Sequence, residues 1–170
     1  MTTASTAEII VSAFGAAGIG TIAGHLLAGA KYRREARARV FEAIAKVEAA
    51  RWGSTPLADL RLLIHEAAAA MLLARVPRDA ARRYLVLAYA AALMSDETYE
   101  QTGEGFVDVE LANATQDAVS LVALLVWHPW WGRIVSVRKR PTLAQLVPQL
   151  RERGSGIAGF VSLAMEQTGV

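Results

Sequence analysis

The pattern of apolar and polar positions divides the chain into one long uncharged run near the amino end and a series of amphipathic stretches behind it. Ile9–Ala30 (IIVSAFGAAGIGTIAGHLLAGA) has no charged residue, and His25 is its only ionisable group. As a helix this run matches the bilayer hydrocarbon core, about 30 Å thick. At about 100° per residue, Ala13, Ala17, Gly20, Thr21, Gly24 and Ala28 fall on one side. Val11, Phe14, Ile19, Ile22 and Leu26 fall largely on the other. Small side chains let helix backbones approach closely in lipid, and Gly20 and Gly24 have the spacing of a helix-pairing motif. The sequence therefore predicts a transmembrane helix with a small-residue packing face.

Helical spacing continues without a break to about Trp52, with Val40, Ile44 and Val47 as an apolar stripe and Phe41 beside it. Lys31, Arg33, Arg34, Arg37 and Arg39 form a basic neck, partly neutralised by Glu35, Glu42 and Glu48. Such a neck is expected to face anionic lipid, each basic residue near the surface contributing about 1 kcal/mol. Its position directly after the run places the amino terminus outside and the remainder in the cytoplasm. Met1–Ala7 lacks the positive charge of a signal peptide, although Ala28-Gly29-Ala30 has the form of a cleavage site. Ser5 and Glu8 fit a capping box at the helix start.

Beyond Gly53 the pattern is a succession of shorter helices. Thr55 and Pro56 suit the N-cap and first position of a helix over Leu57–Val76, with Leu60, Leu63, Ile64, Ala67 and Met71 inside. Pro77 separates it from a helix over Arg78–Gln101 that buries Tyr84, Leu85, Leu87, Ala88 and Leu93. Asp96–Glu110 reads as an acidic loop, and its acids miss the calcium-loop spacing. Asp108 caps a helix to about Trp127. The apolar run Ala118–Trp127 is too short to span a bilayer, and Pro129 and Arg133 interrupt any extension. Trp127, Trp130, Trp131 and Arg133 are expected to meet a membrane surface or a partner, with core packing as the alternative for the rings. Thr142 and Gln145 form a second capping box, opening a helix that Pro148 kinks or shortens and Gly154 stops. Gly154–Gly156 is a joint, and Ile157, Phe160, Val161 and Ala164 share one face of a closing helix.

No stretch reads as a strand. The expected fold is all-α: a single N-terminal transmembrane helix followed by a cytosolic bundle of about five to six helices. The expected segments are residues 1–30 (tail and transmembrane helix), 31–53 (basic juxtamembrane helix) and 54–170 (cytosolic domain).

Composition changes this picture little. A chain of 170 residues accommodates one compact domain and an appendage. Its hydrophobic content of 54% is above the soluble average, though alanine supplies much of the excess. The absence of cysteine excludes disulfides and thiolate chemistry. Arginine outnumbers lysine and Asn113 is the only asparagine, which points to a GC-rich bacterial genome.

Candidate chemistry is sparse. There is no phosphate-binding G-x-x-x-x-G-K, no G-x-S-x-G and no H-E-x-x-H. His65 and Glu66 are adjacent, so a helix splays them apart instead of converging them on a metal. Gly15, Gly18 and Gly20 have the density of a nucleotide loop but follow no strand. Arg78, Arg82 and Arg83 suit phosphate contacts, but no glycine marks the turn before them and the rest of their helix is apolar. No catalytic residue, cofactor, metal or nucleic-acid partner is expected. The expectation is a membrane-anchored interaction or assembly protein of the bacterial inner membrane, an accessory subunit or effector. It self-associates or packs with a membrane partner through the small-residue face. The alternatives are a soluble helical oligomer with residues 9–30 as a buried core helix, and a small helical ligand-binding protein.

Overall fold

A computed structural model describes the backbone of residues 6–53, 55–128, 143–152 and 156–169, and the side chains of these except 6–28 and 150–152. Among the described residues all regular structure is helical, as the patterning predicts. The helices are α1 (Thr6–Trp52), α2 (Leu57–Leu73), α3 (Arg78–Thr102), α4 (Val109–Trp127), α5 (Leu143–Glu152) and α6 (Ile157–Thr168).

The chain divides into two compact units, Met1–Glu35 and Ala36–Val170, and α1 contributes to both. In the first unit Lys31 and Glu35 approach to 3.9 Å one helical turn apart. The second unit contains the core.

That core is organised around α3. Every residue from Arg83 to Leu93 is buried, and Tyr84, Leu85, Val86, Leu87 and Ala88 are wholly inaccessible to solvent. A helix buried on all sides has no solvent face and must be surrounded. Helices α2, α4 and α6 pack along it, and α5 packs on α6. Residues 36–52 of α1 join the same core through Val40, Ile44 and Val47, the predicted stripe, with Phe41 half-buried beside them. Each buried Leu, Ile or Val contributes about 1.5–3 kcal/mol. The predicted inner faces of α2 and α6 are also buried, at Leu60, Ile64, Ala67 and Met71 and at Ile157, Val161 and Ala164; Leu63 and Phe160 lie half-buried at the edges.

Several boundaries differ from the sequence expectation. Pro56, not Thr55, occupies the N-cap position of α2, with no side-chain cap. Proline at this point serves by its fixed φ alone. Helix α2 stops at Leu73, three residues early, because Arg75 turns left-handed at φ +59°. The amide of Val76 donates to the Met71 carbonyl (2.9 Å) and that of Arg75 to Leu72 (3.0 Å). This is a Schellman closure in which arginine stands where glycine is usual, sealed by the buried Val76 and Met71.

The acidic stretch from Asp96 is not a loop at first. Helix α3 continues through it to Thr102, and Gly103 at φ +77° ends the helix by donating to the Tyr99 carbonyl. Only residues 103–108 connect to α4, which Asp108 caps as expected by accepting from the Glu110 amide at 2.7 Å. Helix α5 runs through Pro148 to Glu152 instead of being shortened there. The second capping box at Thr142, the joint residues Gly154 and Ser155, and Ser5 of the first capping box lie outside the described residues.

Among the described residues beyond α1, whose side chains are described only from Gly29 on, one helix, α4, is long and apolar enough to cross a membrane. Its uninterrupted apolar end is too short by itself, but over the whole helix the few polar residues are outweighed. Its buried residues Leu111, Thr115, Ala118, Leu121, Val122, Leu125 and Val126 form one face, and the helix packs along α3.

Candidate functional site

Three regions carry the candidate chemistry: the amino-terminal helix with its basic neck, a polar node at the end of α1, and a cavity beside that node. The first begins in α1. The backbone over Ile9–Ala30 is helical throughout. The side chains of the predicted packing face, Ala13, Ala17, Gly20, Thr21, Gly24 and Ala28, lie outside the described residues. In the neck, Lys31, Arg33, Arg34 and Arg39 are exposed, and Arg37 is half-buried. Further along, Glu42 and Lys46 pair at 2.9 Å across one turn. That hydrogen bond and the opposite charge lower the Glu42 carboxyl below its ordinary range and raise the Lys46 ammonium above it. Both ends remain in solvent, where such a pair contributes little to stability.

The second region forms where α1 meets α3. Arg51 extends the buried stripe of α1 by one turn from Val47, so its side chain enters the protein instead of leaving it. Its Nη2 pairs with the Glu48 carboxylate. The guanidinium lies 4.5 Å from the centre of the Trp52 ring, a cation–π stack. Tyr84, fully buried on α3, donates its hydroxyl to Glu48 Oε1 at 3.1 Å. Burial, the Glu48 charge and this hydrogen bond hold the Tyr84 phenol well above the usual tyrosine range. Arg51 Nε and Nη1 are buried with no hydrogen-bond partner among the described residues. A second phenol, Tyr89, donates to Gln167 Oε1 of α6 at 3.1 Å, and burial raises it too, opposed by the Arg61 charge.

The third region is a cavity of about 440 Å³ next to this node. Trp52, Pro56 and Leu57 line it from the α1–α2 elbow, Asp96 and Tyr99 from α3, and Val107 from the α3–α4 connection. The connection lies hard against α3: a Cβ at Gly105 would stand 2.6 Å from Ser95 Oγ. A larger residue there would require the Ser95 hydroxyl to rotate away, since Gly105 has no positive φ and its nearest backbone neighbour, the Ser95 carbonyl, is at 3.6 Å.

Of the tryptophan-rich turn, Trp130, Trp131 and Arg133 lie outside the described residues. Trp127 is 61% exposed, yet its ring tilts against Phe41 of α1 at 5.9 Å. It is thus both a packing residue and a surface one. His65 and Glu66 are exposed on α2, and His128 is exposed at the end of α4. Among the described residues no group of three or more His, Cys, Asp or Glu converges as a metal site would.

Sequence reasoning missed the Glu48–Arg51–Tyr84 node. One signal was present: the spacing Val40, Ile44, Val47, Arg51 puts an arginine on the core stripe, where a charge needs a buried partner. The cavity left no such signal, because its walls come from separate elements. Compared with protein-family models, curated proteins and solved structures, the chain matches none.

Proposed function

We propose that this protein is a membrane-anchored helical assembly protein, held by the amino-terminal part of α1 in the cytoplasmic membrane of a bacterium. In this reading the amino terminus is outside and the helical unit lies in the cytoplasm. The observation that carries the proposal is a continuity. The uncharged run Ile9–Ala30 and the exposed basic residues Lys31, Arg33 and Arg34 follow one another within one helix. A helix apolar all round belongs either at the centre of a large core or in lipid. The centre of the Ala36–Val170 unit is already filled by α3. Positive charge behind the run sets the orientation, and the exposed neck suits anionic headgroups.

The small-residue face at Ala13, Ala17, Gly20, Thr21, Gly24 and Ala28 is the proposed surface for pairing with a second copy or another membrane protein. The reading assigns the chain no catalytic role. Fractionation tests the anchor: the full chain should stay with membranes through a carbonate wash. Recovery in the supernatant would overturn the proposal in favour of a soluble oligomer with residues 9–30 buried. In detergent the double substitution Gly20→Leu, Gly24→Leu should reduce the oligomer to monomer, and an unchanged size would remove the packing face from the proposal.

A further inference from the structure

We propose that the cavity at the α1–α2 elbow binds an organic cation, an ammonium or guanidinium group carried on an apolar body. Its volume, about 440 Å³, lies within the range of small-ligand pockets. The apolar part of its wall is supplied by Pro56, Leu57 and Val107. Two aromatic rings border it, and both are open to solvent, Trp52 at 66% and Tyr99 at 62% exposure. Aromatic faces attract cations; one face of Trp52 is already stacked on Arg51, so Tyr99 and the rest of the Trp52 ring are the exposed aromatic surface at the cavity.

The charges around the cavity decide the sign of the guest. Asp96 is the carboxylate of the wall and is exposed. Glu100 stands one helical turn beyond it on α3, and Glu104 precedes Gly105 in the connection; both are exposed. Arg51 also contributes to the wall, but its Nη2 is taken by Glu48 and its plane by Trp52. The remaining two nitrogens lie beneath the accessible surface. The accessible charge is therefore negative.

An isosteric series tests the sign. The full chain, in nanodiscs or in buffer according to how it fractionates, is titrated with phenethylamine, 2-phenylethanol and phenylacetate. The indole N–H resonance of Trp52, assigned by its loss in Trp52→Phe, reports occupancy. Phenethylamine should shift this resonance saturably, and its neutral and anionic isosteres should bind at least about fivefold more weakly. Asp96→Asn should weaken phenethylamine about fivefold, and Tyr99→Leu, which keeps apolar area but removes the ring face, by a similar factor. Glu66→Gln, on α2 away from the cavity wall, should leave it unchanged. Equal binding of all three compounds, preference for phenylacetate, or an Asp96→Asn chain that binds like the parent would each overturn the proposal. The capped peptide Ac-Ala-Lys-Ala-NH2 separates the two sources of such a cation. Tighter binding than phenethylamine identifies a lysine side chain of a protein, and weaker binding a free amine.

Discussion

Helices α3 and α4 invert the ranking that composition assigns them. Helix α4 is apolar enough along its whole length to cross a membrane, yet it buries only one face and leaves Asn113, Gln116, Asp117, Ser120 and Leu124 exposed. Helix α3 begins with Arg78, Asp79, Arg82 and Arg83 and ends in acids, so its average is polar, but its middle is enclosed on every side. Mean hydropathy averages over a helix; burial depends on how many neighbours surround each turn. The same distinction bears on the amino-terminal run. Tyr84–Met94 of α3 is uncharged over about 16 Å of helix, whereas Ile9–Ala30 is uncharged over about 33 Å at about 1.5 Å per residue. The shorter length fits inside a domain core, and the longer one matches a bilayer.

The contrast between α3 and α4 breaks most readily by truncating one leucine in each. Leu87→Ala in α3 should cost about 3 kcal/mol in urea unfolding, since its side chain is fully buried. Leu124→Ala, at 37% exposure on α4, should cost less than about 1 kcal/mol. Equal costs would mean that α4 is covered by something beyond the described residues.

A second test sharpens what enclosure does to a polar group on α3. Folding raises the pKa of Tyr84, and of Tyr89 by a smaller burden of the same kind. A tyrosine with a higher pKa folded than unfolded keeps its proton in the native state while the unfolded chain loses it. Its contribution is therefore intact below about pH 10, the unfolded value, and is lost as pH rises beyond it. Urea midpoints should fall above about pH 10. Tyr84→Phe should make that fall shallower and, by removing the bond to Glu48, cost about 1 kcal/mol at neutral pH. A slope unaltered in Tyr84→Phe would show that the phenol is not enclosed as described.

The smallest effect is expected where α2 turns into α3. Arg75→Gly should raise stability by about 0.5–1 kcal/mol by relieving the left-handed arginine, less the entropy glycine adds to the unfolded chain. A loss of stability would mean that the Arg75 side chain makes a contact worth more than the strain.

Legibility followed periodicity. The stripes of α1, α2 and α6 were readable because each buries one face, and Asp108 was readable as a cap because its side chain acts on the next turn. The ends of α2 and α3 were not. At Arg75 the chain makes a glycine-type turn without glycine, and past Asp96 a run of acids that looked like a loop stays helical because each remains in solvent. Arg51 was visible as a charge on an apolar stripe, but Tyr84, which shares its carboxylate partner, lies far along the chain, and no local spacing announces such a pair.

The sequence by itself determined that the chain is helical, where most of its helices begin, and that one uncharged run of bilayer length precedes a basic segment. These follow from side-chain periodicity and from charge, which act over a few residues. Tertiary structure alone decided that α3 is the central helix, that Arg51 and Tyr84 share Glu48, and that a cavity opens between Trp52 and Tyr99. Each of these depends on which elements come together around a common core, and that is a property of packing between residues distant in the chain.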